Sequence, residues 1–247
     1  MNFNRLMKSN NPMIKEQVVT GGSPITRAGE GSMTVSGGAN KSLILFGLML
    51  MTAVVGFTMP SQLFMYGGIF GGMAISFIAS RSPEKSSIWA PLFALVYGLA
   101  IGTITAIYGA RYNGIIFQAV TITMSIFFAM LFLYKSGLIT VTDKFRSVIM
   151  TLMGGIMILY LVSFGMHMFG YDMPFLHDQS MIGVGISCVI ALVASLKLLV
   201  DFDNFDRGAK SGSPKYMEWY ISMGLLFTLI WLYTEILYIV GALMGSE

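Results

Sequence analysis

Seven long apolar stretches divide this chain, and they constrain its fold more than any other feature. They cover residues 43–59, 63–80, 88–108, 114–134, 147–169, 181–200 and 219–241. A helix needs about 20 residues to cross a hydrocarbon core of about 30 Å, and each stretch is close to that length. The chain is only 11% charged, against about 25% in soluble domains. We therefore predict an all-α integral membrane protein, a seven-transmembrane-helix bundle.

The first three stretches carry signs of tight packing. Only Pro60, Ser61 and Gln62 separate the first two stretches, which predicts a tight helical hairpin. Glycines recur at four-residue spacing in the second and third stretches, and such pairs let helix backbones approach closely in lipid. These glycines are Gly67, Gly68, Gly71, Gly72, Gly98 and Gly102.

The basic residues lie on alternate connections between the stretches, which predicts an orientation. With the N-terminus in the cytoplasm, the outer segments hold only Arg111, and Lys197 lies within the sixth stretch. Such a bias is typical of cytoplasmic loops. Because these residues orient the helices and contact anionic lipid head groups, the net charge of +3 does not call for a nucleic-acid partner. The inner basic residues are Arg5, Lys8, Lys15, Arg27, Lys41, Arg81, Lys85, Lys135, Lys144, Arg146, Arg207, Lys210 and Lys215.

The N-terminal segment differs from the rest of the chain. It is rich in Gly, Ser, Asn and Thr and has no sustained apolar period. This composition predicts a flexible cytoplasmic tail over residues 1–41, followed by a seven-helix transmembrane domain over residues 42–247.

Residues for metal or nucleophilic chemistry are scarce. The chain has two histidines, His167 and His177, and one cysteine, Cys188, without the paired spacing of a zinc site. It also lacks the glycine-rich phosphate loop that ends in lysine. We therefore expect no enzymatic activity, no catalytic residues, no metal site and no resident cofactor. This composition also disfavours an intramembrane hydrolase.

The acidic residues near the end of the chain are the candidate functional residues. The sixth stretch passes directly into Asp201 and Asp203, and Lys197 shares a helix face with Asp201 because it lies four residues earlier. Glu218 begins the last stretch, and Glu235 lies inside it. A carboxyl group inside a membrane is costly unless it is neutral, paired or faces a water-filled cavity. We therefore predict that Glu235 faces the bundle interior and has a proton or ion role.

Several motifs resemble those of the Bax inhibitor/YccA family, also called the transmembrane Bax inhibitor motif family. The chain looks most like its bacterial branch with a long N-terminal tail. The resemblance covers about residues 40–243, and its last motif is the most specific. The motifs are YGLAIG at 97–102, YNGIIFQAV at 112–120, LYKSG at 133–137, DFD at 201–203, PKYMEWY at 214–220 and WLYTEIL at 231–237.

The resemblance implies a bundle with the last helix near its centre, in a bacterial inner membrane. Characterised relatives are pH-sensitive calcium leak channels with a pair of acidic residues on the sixth and seventh helices. By local match these positions are Asp201 and Glu235, whereas counting depth along the helices pairs Asp201 with Glu218. Asp203 is a further candidate for the sensor or ion pathway, and calcium or another cation would be the permeant ion.

A second functional class is also implied by the resemblance. Some bacterial relatives are associated with regulation of a membrane protease or a membrane quality-control complex. The predicted tail would then engage such a partner, since a disordered segment can fold on binding. The sequence leaves open the choice between a leak channel and a regulator.

Overall fold

The computed structural model describes residues 31–171, 173, 176 and 180–245, which are helical apart from their connections and one isolated β-bridge. All seven α-helices are long and apolar enough to cross a membrane. This confirms the predicted all-α bundle with seven membrane-spanning helices. The helices are α1 (Val35–Thr58), α2 (Gln62–Arg81), α3 (Ser86–Arg111), α4 (Ile115–Lys135), α5 (Asp143–Met168), α6 (Met181–Lys210) and α7 (Met217–Met244), with a short 3₁₀ helix at Pro83–Lys85 before α3.

Helices α1 and α2 pack mainly against α3 and not against each other. A β-carbon added at Gly102 of α3 would lie 1.9 Å from the carbonyl oxygen of Ala53 of α1. One added at Gly68 of α2 would lie 2.6 Å from the β-carbon of Ala100 of α3. The pairs Gly68/Gly72 and Gly98/Gly102 therefore provide close helix contacts, as predicted, whereas a β-carbon at Gly67 would meet only Leu63 of its own helix. The predicted α1–α2 hairpin is wrong because the glycine faces direct both helices onto α3.

Helix α7 lies at the centre of the bundle. It contacts α1, α3, α4 and α6, and its core residues include Leu232 and Leu237, which are fully buried. Helix α6 is buried nearly as extensively, whereas α5 packs chiefly on α6 and exposes most of its surface. A central last helix agrees with the expectation drawn from the family resemblance.

The charge distribution distinguishes the two ends of the bundle. Between residues 31 and 245, all lysines and arginines lie at one end except Arg111 and Lys197. We call this end the basic end; it contains the start of α1 and the connections α2–α3, α4–α5 and α6–α7. Lys197 lies thirteen residues before the end of α6, about 20 Å along the helix axis. It is therefore the one described basic residue in the middle of the bundle.

Helix α1 begins within the segment predicted as a flexible tail. The Thr34 hydroxyl caps the helix by accepting a hydrogen bond from the Gly37 amide, so residues 35–41 are helical. Ahead of the cap, the Met33 amide donates to the Ser213 carbonyl at 2.8 Å, and Met33 is 2% exposed. These contacts attach the start of α1 to the α6–α7 connection. Residues 1–30 of the predicted tail lie outside the described residues.

Candidate functional site

A buried polar cluster joins α6 to α7 in the middle of the bundle. Lys197 donates a short hydrogen bond from Nζ to Oδ1 of Asp201, as their four-residue spacing predicts. The Thr228 hydroxyl of α7 donates to Oδ2 of Asp201 at 2.7 Å. The exposed fractions are 8% for Lys197, 2% for Asp201 and 1% for Thr228. Both carboxylate oxygens thus have a donor, and the ion pair is held away from the protein surface.

Asp201 lies deeper than the sequence predicted. The apolar stretch ends at Val200, which predicts that Asp201 lies near the end of its helix, but α6 continues to Lys210. The extension is amphipathic: Phe202 and Phe205 are buried and keep this segment packed against the bundle. The helix ends just before Gly212, whose φ of 65° favours glycine.

Glu235 is buried at a second site on α7. Its Oε1 accepts a short hydrogen bond from the Tyr160 hydroxyl of α5, and Trp231 Nε1 lies 3.5 Å from that same hydroxyl. The exposed fraction of Glu235 is 2%. This confirms the prediction that Glu235 faces the bundle interior. It also shows how α5 reaches the central helix, through a tyrosine hydroxyl.

The structure does not bring Asp201 against either of the acids predicted to pair with it. Among the described residues, the hydrogen-bond partners of Asp201 are Lys197 and Thr228. Relative to Thr228, Glu235 lies seven residues further along α7 and Glu218 lies ten residues back, about 10 Å and about 15 Å along the axis. The antiparallel register of α6 and α7 places a threonine, and not a carboxyl, opposite Asp201.

Glu218 has a separate role at the basic end. Its Oε1 accepts hydrogen bonds from the backbone amide of Thr34 at 3.0 Å and from the Thr34 hydroxyl at 3.3 Å. The carboxylate thus lies at the N-terminus of α1, where the helix dipole favours negative charge. Gly37 makes room for it, because a β-carbon there would lie 2.1 Å from Oε1. Glu218 is 2% exposed and fastens α1 to α7.

Asp203 belongs to a network of charged groups at the basic end. It accepts from Arg146 of α5 at 2.6 Å and from Arg207 of α6 at 2.5 Å. Arg207 also binds Asp143 at 2.9 Å, and the side chains of Arg207 and Asp143 are 46% and 87% exposed. The network joins the start of α5 to the end of α6. It therefore places Asp203 in two ion pairs at the basic end, with Arg146 and Arg207.

The sequence as a whole matches one known family. The family model described as Bax inhibitor 1 like matches residues 7–245. The chain belongs to the Bax inhibitor 1 like family. No curated protein and no solved structure matches it. Family membership and seven spanning helices together make this a multi-pass membrane protein.

A cavity separates α1 from α4 in this Bax inhibitor 1 like protein. It has a volume of about 870 Å³ and is lined mainly by apolar side chains of α1, α4, α6 and α7. Its polar lining includes Asp203, Asp206 and Ser222, and Asp206 accepts from Tyr134 at 2.5 Å. Phe46 and Leu229 also line a second, more apolar cavity of about 450 Å³. The carboxyl groups thus border the cavity near the basic end.

The sequence of this Bax inhibitor 1 like chain did not identify which residues bind its two buried carboxyl groups. Thr228 and Tyr160 bind the two buried carboxyl groups, yet neither residue type is unusual in a membrane helix. Polar side chains commonly bond across helices in a bilayer, so their presence alone carries little signal. The acid itself is the better indicator, because a buried carboxyl requires a nearby donor.

Proposed function

We propose that this Bax inhibitor 1 like protein is a pH-sensitive cation leak channel, with calcium as the expected permeant ion. The observation that carries the proposal is the buried ion pair of Asp201 with Lys197 between the two most central helices. Ionisable residues inside a membrane protein commonly mark ion or proton pathways. The proposed setting is a bacterial inner membrane, with the N-terminus in the cytoplasm.

Polar groups along α7 support a route through the bundle. From the basic end they are Glu218, Ser222, Thr228 and Glu235, all of which are buried. Thr228 and Glu235 are seven residues apart and share one helix face. The cavity bordered by Asp203 and Asp206 would admit a cation from the basic end. Asp201 would be the next carboxyl group that the cation meets, and Glu235 the following one.

Protonation of Asp201 would supply the pH dependence. An ionised Asp201 attracts a cation and pairs with the Lys197 ammonium, whereas a protonated Asp201 loses its charge attraction for both. The α6–α7 arrangement would therefore differ in free energy between the two protonation states, which shifts the population of conformations. We expect flux to rise with pH as the carboxyl groups ionise.

Calcium entry into proteoliposomes, measured over a pH series, tests this proposal. We expect the wild-type flux to rise with pH and the Asp201→Asn and Glu235→Gln variants to have weak, flattened profiles. Glu84→Gln is the matched control, since Glu84 is an exposed acid beside α3. A pH profile unchanged by Asp201→Asn and Glu235→Gln would contradict the gating assignment.

A regulator of a membrane protease is the second candidate function. It is favoured by the position of Ser32 and Met33, which attach the start of the described chain to Pro214 and Ser213 at the basic end. A partner that binds the preceding residues would therefore lie beside the α6–α7 connection. Deleting residues 2–30 distinguishes the two functions: a regulator loses its partner in co-purification, whereas a leak channel keeps its flux.

A further inference from the structure

Lys197 occupies an unusual position for a basic residue. Among the described lysines and arginines, Lys197 alone lies in the middle of the bundle, and its side chain is only 10% exposed. An ammonium group is costly to remove from water, and pairing with a carboxylate offsets that cost only when the geometry is good. The i,i+4 spacing and the direct contact with Asp201 supply such geometry.

The contacts of Asp201 leave no carboxylate oxygen without a donor. Lys197 of α6 holds Oδ1, and Thr228 of α7 holds Oδ2. The other basic residue that acts electrostatically on Asp201 is Arg146 of α5, and it is bound by Asp203 and Asn204. A cation from solution would therefore have to displace the Lys197 ammonium to reach Asp201. Lysine suits such a role because its charge is compact and its stem is flexible.

We propose that Lys197 is a tethered cation that competes with permeant cations for Asp201 and so limits the leak. The inference rests on the proposed function, because it assigns a specificity-determining residue to the same pathway. Removing the ammonium leaves an uncompensated buried carboxylate. A cation from solution then binds Asp201 in place of the ammonium. Asp201 is therefore occupied by a permeant cation for more of the time.

The test compares Lys197→Met with Lys197→Arg in proteoliposomes loaded with a calcium indicator. Methionine keeps an unbranched stem without the charge, whereas arginine keeps the charge. We expect Lys197→Met to raise the initial rate of calcium entry at neutral pH by roughly tenfold or more, and Lys197→Arg, which keeps a cation beside Asp201, to leak more slowly than Lys197→Met. An unchanged rate in Lys197→Met overturns the proposal. It would mean that a proton, and not a permeant cation, neutralises the Asp201 carboxylate when the ammonium is absent.

A double variant separates this effect from general loosening of the bundle. Lys197→Met combined with Asp201→Asn should return the rate to that of Asp201→Asn alone, because the two residues act on each other. A double variant that leaks as fast as Lys197→Met overturns the proposal. If Lys197→Met does not fold, Lys197→Gln replaces it. Added calcium should then raise its unfolding temperature but not that of wild type, and no such difference counts against the proposal.

Failure of the inference and failure of the proposed function give different results. In one outcome, wild-type protein leaks with an Asp201-dependent pH profile and Lys197→Met leaks no faster. This result contradicts the tethered-cation role alone. In the other outcome, wild-type protein shows no flux and Lys197→Met leaks through Asp201. This result contradicts the proposed leak function but supports the role of Lys197.

Discussion

The Thr228 hydroxyl donates a 2.7 Å hydrogen bond to Asp201 across the α6–α7 contact. Both side chains are nearly inaccessible to solvent, with 1% and 2% exposed. The carboxylate oxygen that accepts this bond has no second donor among the described side chains. The contact therefore joins α6 to α7 at the middle of the bundle, in the register that places Thr228 opposite Asp201.

Removing that hydroxyl should destabilise the bundle. We expect Thr228→Val to lower the free energy of unfolding by about 1–3 kcal/mol, because it leaves a buried carboxylate oxygen without its donor. Thr228→Ser retains the hydroxyl and should remain close to wild type. Thermal unfolding in detergent measures the difference, and equal midpoints for Thr228→Val and Thr228→Ser would show that the hydroxyl contributes little.

Adding one methyl group at Gly102 should separate α1 from α3. The new β-carbon would lie 1.9 Å from the Ala53 carbonyl oxygen, and backbone cannot move aside cheaply. We expect Gly102→Ala to cost about 1–3 kcal/mol or more, measured as a lower unfolding temperature. Gly154→Ala on α5 is the control, since nothing lies within 4 Å of its added β-carbon. It should be neutral or stabilising.

Loss of the Glu218 carboxylate should release the start of α1. Glu218→Leu removes the acceptor for the Thr34 amide and hydroxyl, so the contacts of residues 32–34 with the α6–α7 connection should open more often. We expect faster hydrogen exchange at the Met33 amide, which donates to Ser213. Glu218→Gln keeps an acceptor oxygen and should show a smaller increase. Unchanged exchange in Glu218→Leu would assign the attachment to the Met33–Ser213 hydrogen bond and the Ser32–Pro214 bridge instead.

The predicted orientation can be checked by thiol labelling in intact cells. In a Cys188→Ser background, a cysteine in place of Ser9 should resist a membrane-impermeant reagent, because the basic end is expected to face the cytoplasm. A cysteine in place of Asn113, in the exposed turn between α3 and α4, should label. The reverse pattern would invert the topology.

The sequence predicted the helices well because each apolar stretch signals its own burial in lipid. It also predicted that Lys197 and Asp201 share one face of α6, which depends only on the period of one helix, and the burial of Glu235, which depends on the cost of an exposed carboxyl in lipid.

Contacts between helices were predicted less well. The pairing of Asp201 with Thr228 depends on the register of two antiparallel helices, and register is set by packing along their whole faces. The docking of α1 and α2 onto α3 likewise depends on which way the glycine faces point. The end of α6 was missed because Phe202 and Phe205 bury themselves among charged residues that resemble a loop.

Helix α5 buries little surface, yet it restricts how α6 and α7 can move relative to each other. It binds α6 through Arg146 and Asp203, and α7 through Tyr160 and Glu235. The two residues of α5 are fourteen positions apart, which fixes a separation of about 21 Å along one rigid axis. A sliding of α6 past α7 by one helical turn must therefore break one of these bonds. The peripheral helix α5 thus sets the offset between α6 and α7 along their axes.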